Sequence, residues 1–171
     1  MNDISIYTGQ ITRHRQLVEE TVDTTLTREQ RILMATLGLI GEYGEASRYH
    51  MEAALPPTDE AGDVLWYVHL MLLQFDLSLS DTFIPALLGY RAEPSILSEI
   101  AETVKKHIYH GRELAPETVI RQMSCIVRSL LDMDIDINES LAANETKLRR
   151  RYPTGFVTGG GLRDADTGIS K

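Results

Sequence analysis

Residues 38–46 read GLIGEYGEA, and residues 59–72 read DEAGDVLWYVHLML. The first stretch places Gly38, Gly41 and Gly44 at a strict spacing of three, with Glu42 and Glu45 among them. From Ile32 to Ala46 the chain is apolar nearly all round apart from the two glutamates and Thr36, and Val64 to Leu73 is apolar on every side. Runs of this kind belong to helices in a core. A glycine inside a helix costs about 1 kcal/mol relative to alanine, and burying an unpaired carboxylate is costlier still. A core helix that carries both needs a reason for them.

Working outward from this pair, no segment shows sustained alternation of β-branched residues, so the chain reads as all-α. A first helix is expected over Asp3 to about Glu20. A second opens at Thr27, where TREQ (27–30) has the capping-box form, and ends before Pro56. A third runs from about Thr58 to Phe75, and a short helix follows Ser80 with Pro85 tolerated only close to its start. Ser95 or Ser98 caps a helix that reaches His110 and stops at Gly111. Pro116 suits the first turn of another through about Leu131, and the last helix spans about Asp136 to Arg151, ended by Pro153.

The two halves resemble each other. LIGEYGEASRYH (39–50) aligns with ILSEIAETVKKH (96–107), pairing Glu42 with Glu99 and Glu45 with Glu102. LLQFDLSLSD (72–81) aligns with LLDMDIDINE (130–139) at nearly the same offset. The two matches suggest a duplicated helical hairpin, one copy over about 27–90 and the other over about 95–151, beside the plainer reading of chance likeness between amphipathic helices. A hairpin cannot bury its own apolar faces, so two copies related by a pseudo-twofold axis are expected to form a four-helix-bundle core. An N-terminal helix and a C-terminal helix complete a single domain over 1–156, and the Gly-rich stretch 157–171 is expected to be a flexible tail.

Composition bounds the function. The 171 residues suffice for one domain with a hydrophobic core, and 43% are hydrophobic. The longest apolar run, Val64 to Leu73, is too short to cross a bilayer, and Met1 to Gln10 has no signal-peptide pattern, so a cytoplasmic protein without membrane partners is expected. The single cysteine, Cys125, excludes an intrachain disulfide and argues against cysteine-based metal binding. A net charge of −8 disfavours nucleic-acid backbones, which require clustered Lys and Arg. Lys147, Arg149, Arg150 and Arg151 form one local basic group, which suits a small anionic ligand, and as a helix C-terminus also suits the dipole. Large apolar helices in a chain of this size suggest a homodimer or higher homo-oligomer.

The chemistry lies with the acids. Glu42 and Glu45 share one side of a helix, and Glu60 and Asp63 do the same at the start of the next. Taken singly, each pair also fits a solvated face or a favoured first helical turn. Together, on apolar helices, four carboxylates raise one another's pKa values unless a cation compensates. Hard divalent cations, Mg²⁺ above all with Mn²⁺ as substitute, take such oxygen ligands. A helix continuing straight to Ala54 leaves Glu42 roughly 18 Å from the turn, against about 10 Å for Glu60 and Asp63. A break soon after Tyr49, with 51–58 as a loop, is therefore expected. In the second half Glu99 and Glu102 persist, but Thr118 and Arg121 replace Glu60 and Asp63, making a degenerate copy.

These motifs resemble those of the all-α NTP pyrophosphohydrolases, the MazG-like superfamily: GLIGEYGEA with DEAGDVLWYV matches its E-x-x-E and E-x-x-D pairs. NETKLRRRYPTGF (144–156) is similar to the N-x-x-K-L-x-x-R-Y-P-x-G-F ending of many members. KKHIYHGREL (105–114) resembles a family segment that usually lies between the acidic motifs, whereas here it falls in the second hairpin. The resemblance implies Mg²⁺-dependent hydrolysis of an NTP or dNTP at the α–β bond to a monophosphate and pyrophosphate, as in nucleotide-pool sanitation. It implies Glu42, Glu45, Glu60 and Asp63 as metal ligands and catalytic groups, and Asn144, Lys147, Arg151 and Tyr152 as substrate-binding residues.

Two other readings stand beside it: a non-catalytic helical module that binds nucleotide or protein, and a pyrimidine-specific relative of the dUTPase or dCTPase type. Trp66 reads as core or as a flank for a base, and Tyr67, four residues after Asp63, as core or pocket lining. His50, His69, His107 and His110 are scattered without ligand spacing, and no phosphate-binding loop of the G-x-x-x-x-G-K-[ST] type exists.

Overall fold

The computed structural model describes residues 5–53, 57–89 and 95–153. They form α1 (Ser5–Thr21), α2 (Arg28–Ala53), α3 (Thr58–Leu73), α4 (Ser80–Leu88), α5 (Ile96–His110), α6 (Pro116–Asp132) and α7 (Ile137–Arg151), with no strand among the described residues. The all-α expectation holds. The tail 157–171 and Phe156 lie outside the described residues.

Local signals set most helix ends. At α2 the capping box forms in both directions: the Gln30 amide N–H donates to Thr27 Oγ1 at 3.2 Å, and the Thr27 N–H donates to Gln30 Oε1 at 2.8 Å. Gly111 ends α5 in the left-handed region at φ 61°, where a side chain would be strained. Pro116 occupies the first turn of α6, where its missing N–H has no partner to lose. Asp136 caps α7 by accepting the Glu139 N–H at 3.1 Å. Pro85 departs from expectation, since it lies inside α4 beyond the first turn; its carbonyl still accepts the Gly89 N–H at 3.1 Å. The helix is short and nearly over there, which limits what the missing donor costs.

α3 is the central element and touches α1, α2, α6 and α7. Its apolar circumference explains the position, because only a helix with neighbours on most sides can bury it. Between residues 60 and 72 every α3 residue is buried except Glu60, Asp63 and Tyr67. Those three share one stripe at helical spacing. Gly62, on another side, lets α7 approach: a β-carbon there would lie 2.8 Å from the Ser140 carbonyl oxygen and 2.9 Å from Asn144 Cβ. α2 packs most closely on α3, and α5 and α6 complete a ring with them, although α5 and α6 touch each other far less than the first pair.

Two expectations about α2 need correction. The helix runs unbroken to Ala53, so the break after Tyr49 does not occur, and 51–53 belong to the helix rather than to a loop. The break was expected on the assumption that both helices start level with the turn. Antiparallel helices need not end level, and α2 runs on past the start of α3, leaving Tyr49 and Met51 exposed. Nor is α2 buried all round. Ile32, Ala35, Leu39 and Ala46 form a buried stripe, while Leu37 and Ile40 on the outer side are 61% and 39% exposed.

Candidate active site at the α2–α3 interface

The register of α2 on α3 builds the site. Gly38 lies directly against the Tyr67 ring; a β-carbon at 38 would sit 2.3 Å from ring atoms. One step of four residues forward on α2 and four back on α3 brings Glu42 level with Asp63. Three further residues bring Glu45 level with Glu60. The glycine is therefore explained at one position only, because Gly41 and Gly44 have no atom within 4 Å of a would-be β-carbon. Neither admits a close neighbour among the described residues.

Glu42 and Asp63 line one partly open cleft of about 150 Å³, together with Met34, Trp66, Tyr67, Arg151 and Tyr152. Thr21 of α1 and Leu148 of α7 complete its lining. Trp66 serves both purposes considered for it: the residue is buried, its Nε1 donates to Thr21 Oγ1 at 3.0 Å, and part of its ring reaches the cleft. Trp66 and Tyr67 meet edge to face with ring centres 4.9 Å apart. Glu45 is exposed and Glu60 half-buried, and neither is among the residues that line the cleft.

The acids feel one another. Glu42 has its pKa raised above the ordinary 4.5, first by burial and then by the negative charges of Asp63, Glu45 and Glu60, with Lys147 opposing. Tyr67 is raised above 10.0 by burial, with Glu42, Asp63 and Tyr152 adding to it. Among the described residues, no three His, Cys, Asp or Glu side chains stand close enough to hold a metal ion as they are placed. The donor set nonetheless fits a hard divalent cation chemically. All four groups are carboxylates, the charges of the other three act on Glu42, and one ammonium opposes them there.

That ammonium is Lys147, which donates to both carboxylate oxygens of Asp63 at 2.5 Å. Asn144 Nδ2 donates to Asp63 Oδ1 at 2.7 Å. Both are expected to bind substrate; in this structure both donate to Asp63, from one turn apart on α7. Arg151 and Tyr152, one turn further, face the cleft. The second half mirrors this pattern: Arg121 Nη2 pairs with Glu99 Oε1, which also accepts from Gln122 Nε2 at 3.1 Å. The cation expected there is present, and it pairs with the retained glutamate.

Sequence reasoning passed over His14. It is fully buried, its Nδ1 lies 2.7 Å from His69 Nδ1, and its Nε2 lies 3.1 Å from Asn144 Oδ1. Nothing local marks it, because its partners are 55 and 130 residues away. No described helix is long and apolar enough to cross a membrane. No family model matches the chain, and neither the curated proteins nor the solved structures contain a match to it.

Proposed function

We propose that the chain is a divalent-cation-dependent nucleoside triphosphate pyrophosphohydrolase of the MazG-like, all-α type, acting on NTPs or dNTPs. The observation that carries this reading is the meeting of Glu42 and Asp63, from facing helices, in a cleft that also holds Trp66, Tyr67, Arg151 and Tyr152. Carboxylates suit a cation, Arg suits phosphate, and aromatic rings suit a base. The cleft is smaller than the roughly 300–1,000 Å³ usual for ligand pockets. It suits one planar ring, with the polyphosphate lying along the open acidic rim. We read the ring of α2, α3, α6 and α5 as the four-helix core that presents it. A second copy of the chain is the partner suggested by the exposed Leu37 and Ile40, and an acidic chain with one buried cysteine suits the cytoplasm.

In the reaction a water oxygen adds at the α–β anhydride, the bridging P–O bond breaks, and pyrophosphate leaves. Glu42, Asp63, Glu45 and Glu60 would hold Mg²⁺, which when bound supplies charge neutralisation and a more acidic water. One of these carboxylates, kept clear of the ion, would accept the water's proton as general base. Arg151 would stabilise charge on the departing oxygens, and Lys147, which holds Asp63 in this structure, would be able to serve the phosphates if a cation took that carboxylate. Tyr67 and Trp66 orient the base.

The test is a panel of NTPs and dNTPs, pyrimidine dUTP and dCTP included, with Mg²⁺ or Mn²⁺ and detection of monophosphate and pyrophosphate. Turnover abolished by Glu42→Ala or Asp63→Ala supports the enzyme; preference for dUTP or dCTP assigns the pyrimidine-specific type. Release of orthophosphate rejects the bond position. A second reading, a non-catalytic binding module, is favoured by Lys147 holding both Asp63 oxygens in the place of a cation. Tight nucleotide binding without turnover under both metals selects it.

A further inference from the structure

We infer that His69 and His14 are positioning residues that act in series on Asn144, and through it orient the Asp63 carboxylate. The donor and acceptor roles follow from one end. A carboxylate only accepts, so the Asn144 group 2.7 Å from Asp63 Oδ1 is its NH₂. That turns the Asn144 carbonyl oxygen toward His14, whose Nε2 at 3.1 Å must carry a proton. Burial keeps His14 neutral, so its Nδ1 is bare and accepts from His69 Nδ1–H at 2.7 Å. The roles are then fully determined: His69 donates to His14, His14 to Asn144, and Asn144 to Asp63. His69 Nε2 is buried and has no hydrogen-bond partner among the described residues, as befits the bare end of a neutral ring whose proton sits on Nδ1.

The second histidine has a specific use. A neutral imidazole has two tautomers, and the wrong one at His14 would present a lone pair to the Asn144 carbonyl oxygen. The amide would then gain by flipping, which would aim its oxygen at the Asp63 carboxylate, acceptor against acceptor. His69 Nδ1–H excludes that tautomer by requiring a bare Nδ1 opposite it. Burial makes the requirement strict, since His14 and His69 are 0% and 1% exposed and lie away from bulk solvent. Helices α1, α3 and α7 each contribute to the relay, so it also ties the N-terminal helix to the site.

The relay stands on the contact distances and on the burial of the two rings; its purpose, holding Asp63 for a cation, rests on the proposed function. Nitrogen-15 NMR of the imidazole rings at pH 7 tests the relay in the intact wild-type chain. The expected signature is the Nε2–H tautomer for His14 and the rarer Nδ1–H tautomer for His69. An Nδ1–H tautomer at His14, or a cationic ring at either position, overturns it. The purpose is tested by titrating Mn²⁺ into wild type, His69→Leu and His69→Gln. Loss of the donor in His69→Leu is expected to weaken Mn²⁺ binding about tenfold, the effect typical of an outer partner of a metal ligand. His69→Gln, which keeps an N–H donor, is expected to recover part of the affinity. Equal Mn²⁺ affinity in all three overturns the positioning role. A wild type that binds no Mn²⁺ overturns the proposed function, while the tautomers still decide the relay separately.

Discussion

The ring of Tyr67 occupies the space that a β-carbon on Gly38 would need, with its Cε1 and Cζ 2.3 Å from that position. This contact fixes how far α2 slides along α3, and hence that Glu42 faces Asp63. Gly38→Ala is therefore expected to destabilise the protein by about 1–3 kcal/mol, the usual effect of overpacking. Gly41→Ala and Gly44→Ala, which meet nothing within 4 Å, are expected to stabilise it by up to about 1 kcal/mol through helix propensity. Urea unfolding of the three variants checks the contrast, and equal effects would remove Gly38 as the register contact.

The buried histidines give stability an acid limb. His14 is held down to about 4 from the ordinary 6.5 by burial, and His69 well below 6.5 by burial and by its neighbour. A group whose folded pKa is depressed contributes stability that is present above its unfolded pKa and lost as pH falls toward the folded one. Stability should thus decline from about pH 6.5 down to pH 4, with His14 alone accounting for roughly 3 kcal/mol. Urea midpoints between pH 7 and pH 4 measure the slope, and His14→Asn should flatten it.

Glu42 acts in the opposite sense. Its folded pKa is raised, so its contribution is favourable below the ordinary 4.5 and is lost as pH rises through the folded value. At pH 7 without divalent ions Glu42→Gln should therefore raise the melting temperature. Mg²⁺ should raise it in the wild type and do little in the variant, because the charge that attracts the ion is gone. Thermal scans with EDTA and with Mg²⁺ provide the comparison.

Lys147→Met removes the ammonium that grips both oxygens of Asp63. Without divalent ions the variant should be less stable by about 1–2 kcal/mol, since one half-buried carboxylate loses its charged partner. Under the proposed function, KM for the nucleotide should rise more than kcat falls. A KM unchanged from wild type would place Lys147 with Asp63 throughout the reaction.

Arg121→Ala should affect only the second half. Glu99 keeps Gln122 as a donor, and the network touches neither Asp63 nor Glu42 in the described contacts. Nucleotide turnover is expected to match that of the wild type, with a lower melting temperature. Loss of turnover would make the second half part of the active unit.

The acidic pairs, the α2 capping box, the Gly111 stop, the Pro116 start and the Arg121 substitution are all legible in the chain. Each depends on interactions within one helical turn or on a residue type at an aligned position, and such information is local. The unbroken α2 was misread because its end depends on how the two helices slide, which Gly38 and Tyr67 decide from 29 positions apart. Likewise Asn144 and Lys147 were marked as site residues by motif, but their grip on Asp63 spans 81 and 84 positions.

By itself, then, the sequence determined an all-helical chain with two acidic pairs on consecutive helices and a basic group near its end. Only the tertiary structure decided that Glu60, Asp63 and Tyr67 form the stripe left partly open between residues 60 and 72 of α3, and that Lys147 is the counter-charge. It also chained His69, His14 and Asn144 to the carboxylate. The reason is physical: helical propensity and capping are settled within a few residues, whereas which face stays wet and which atom donates are settled by whatever side chain packs opposite.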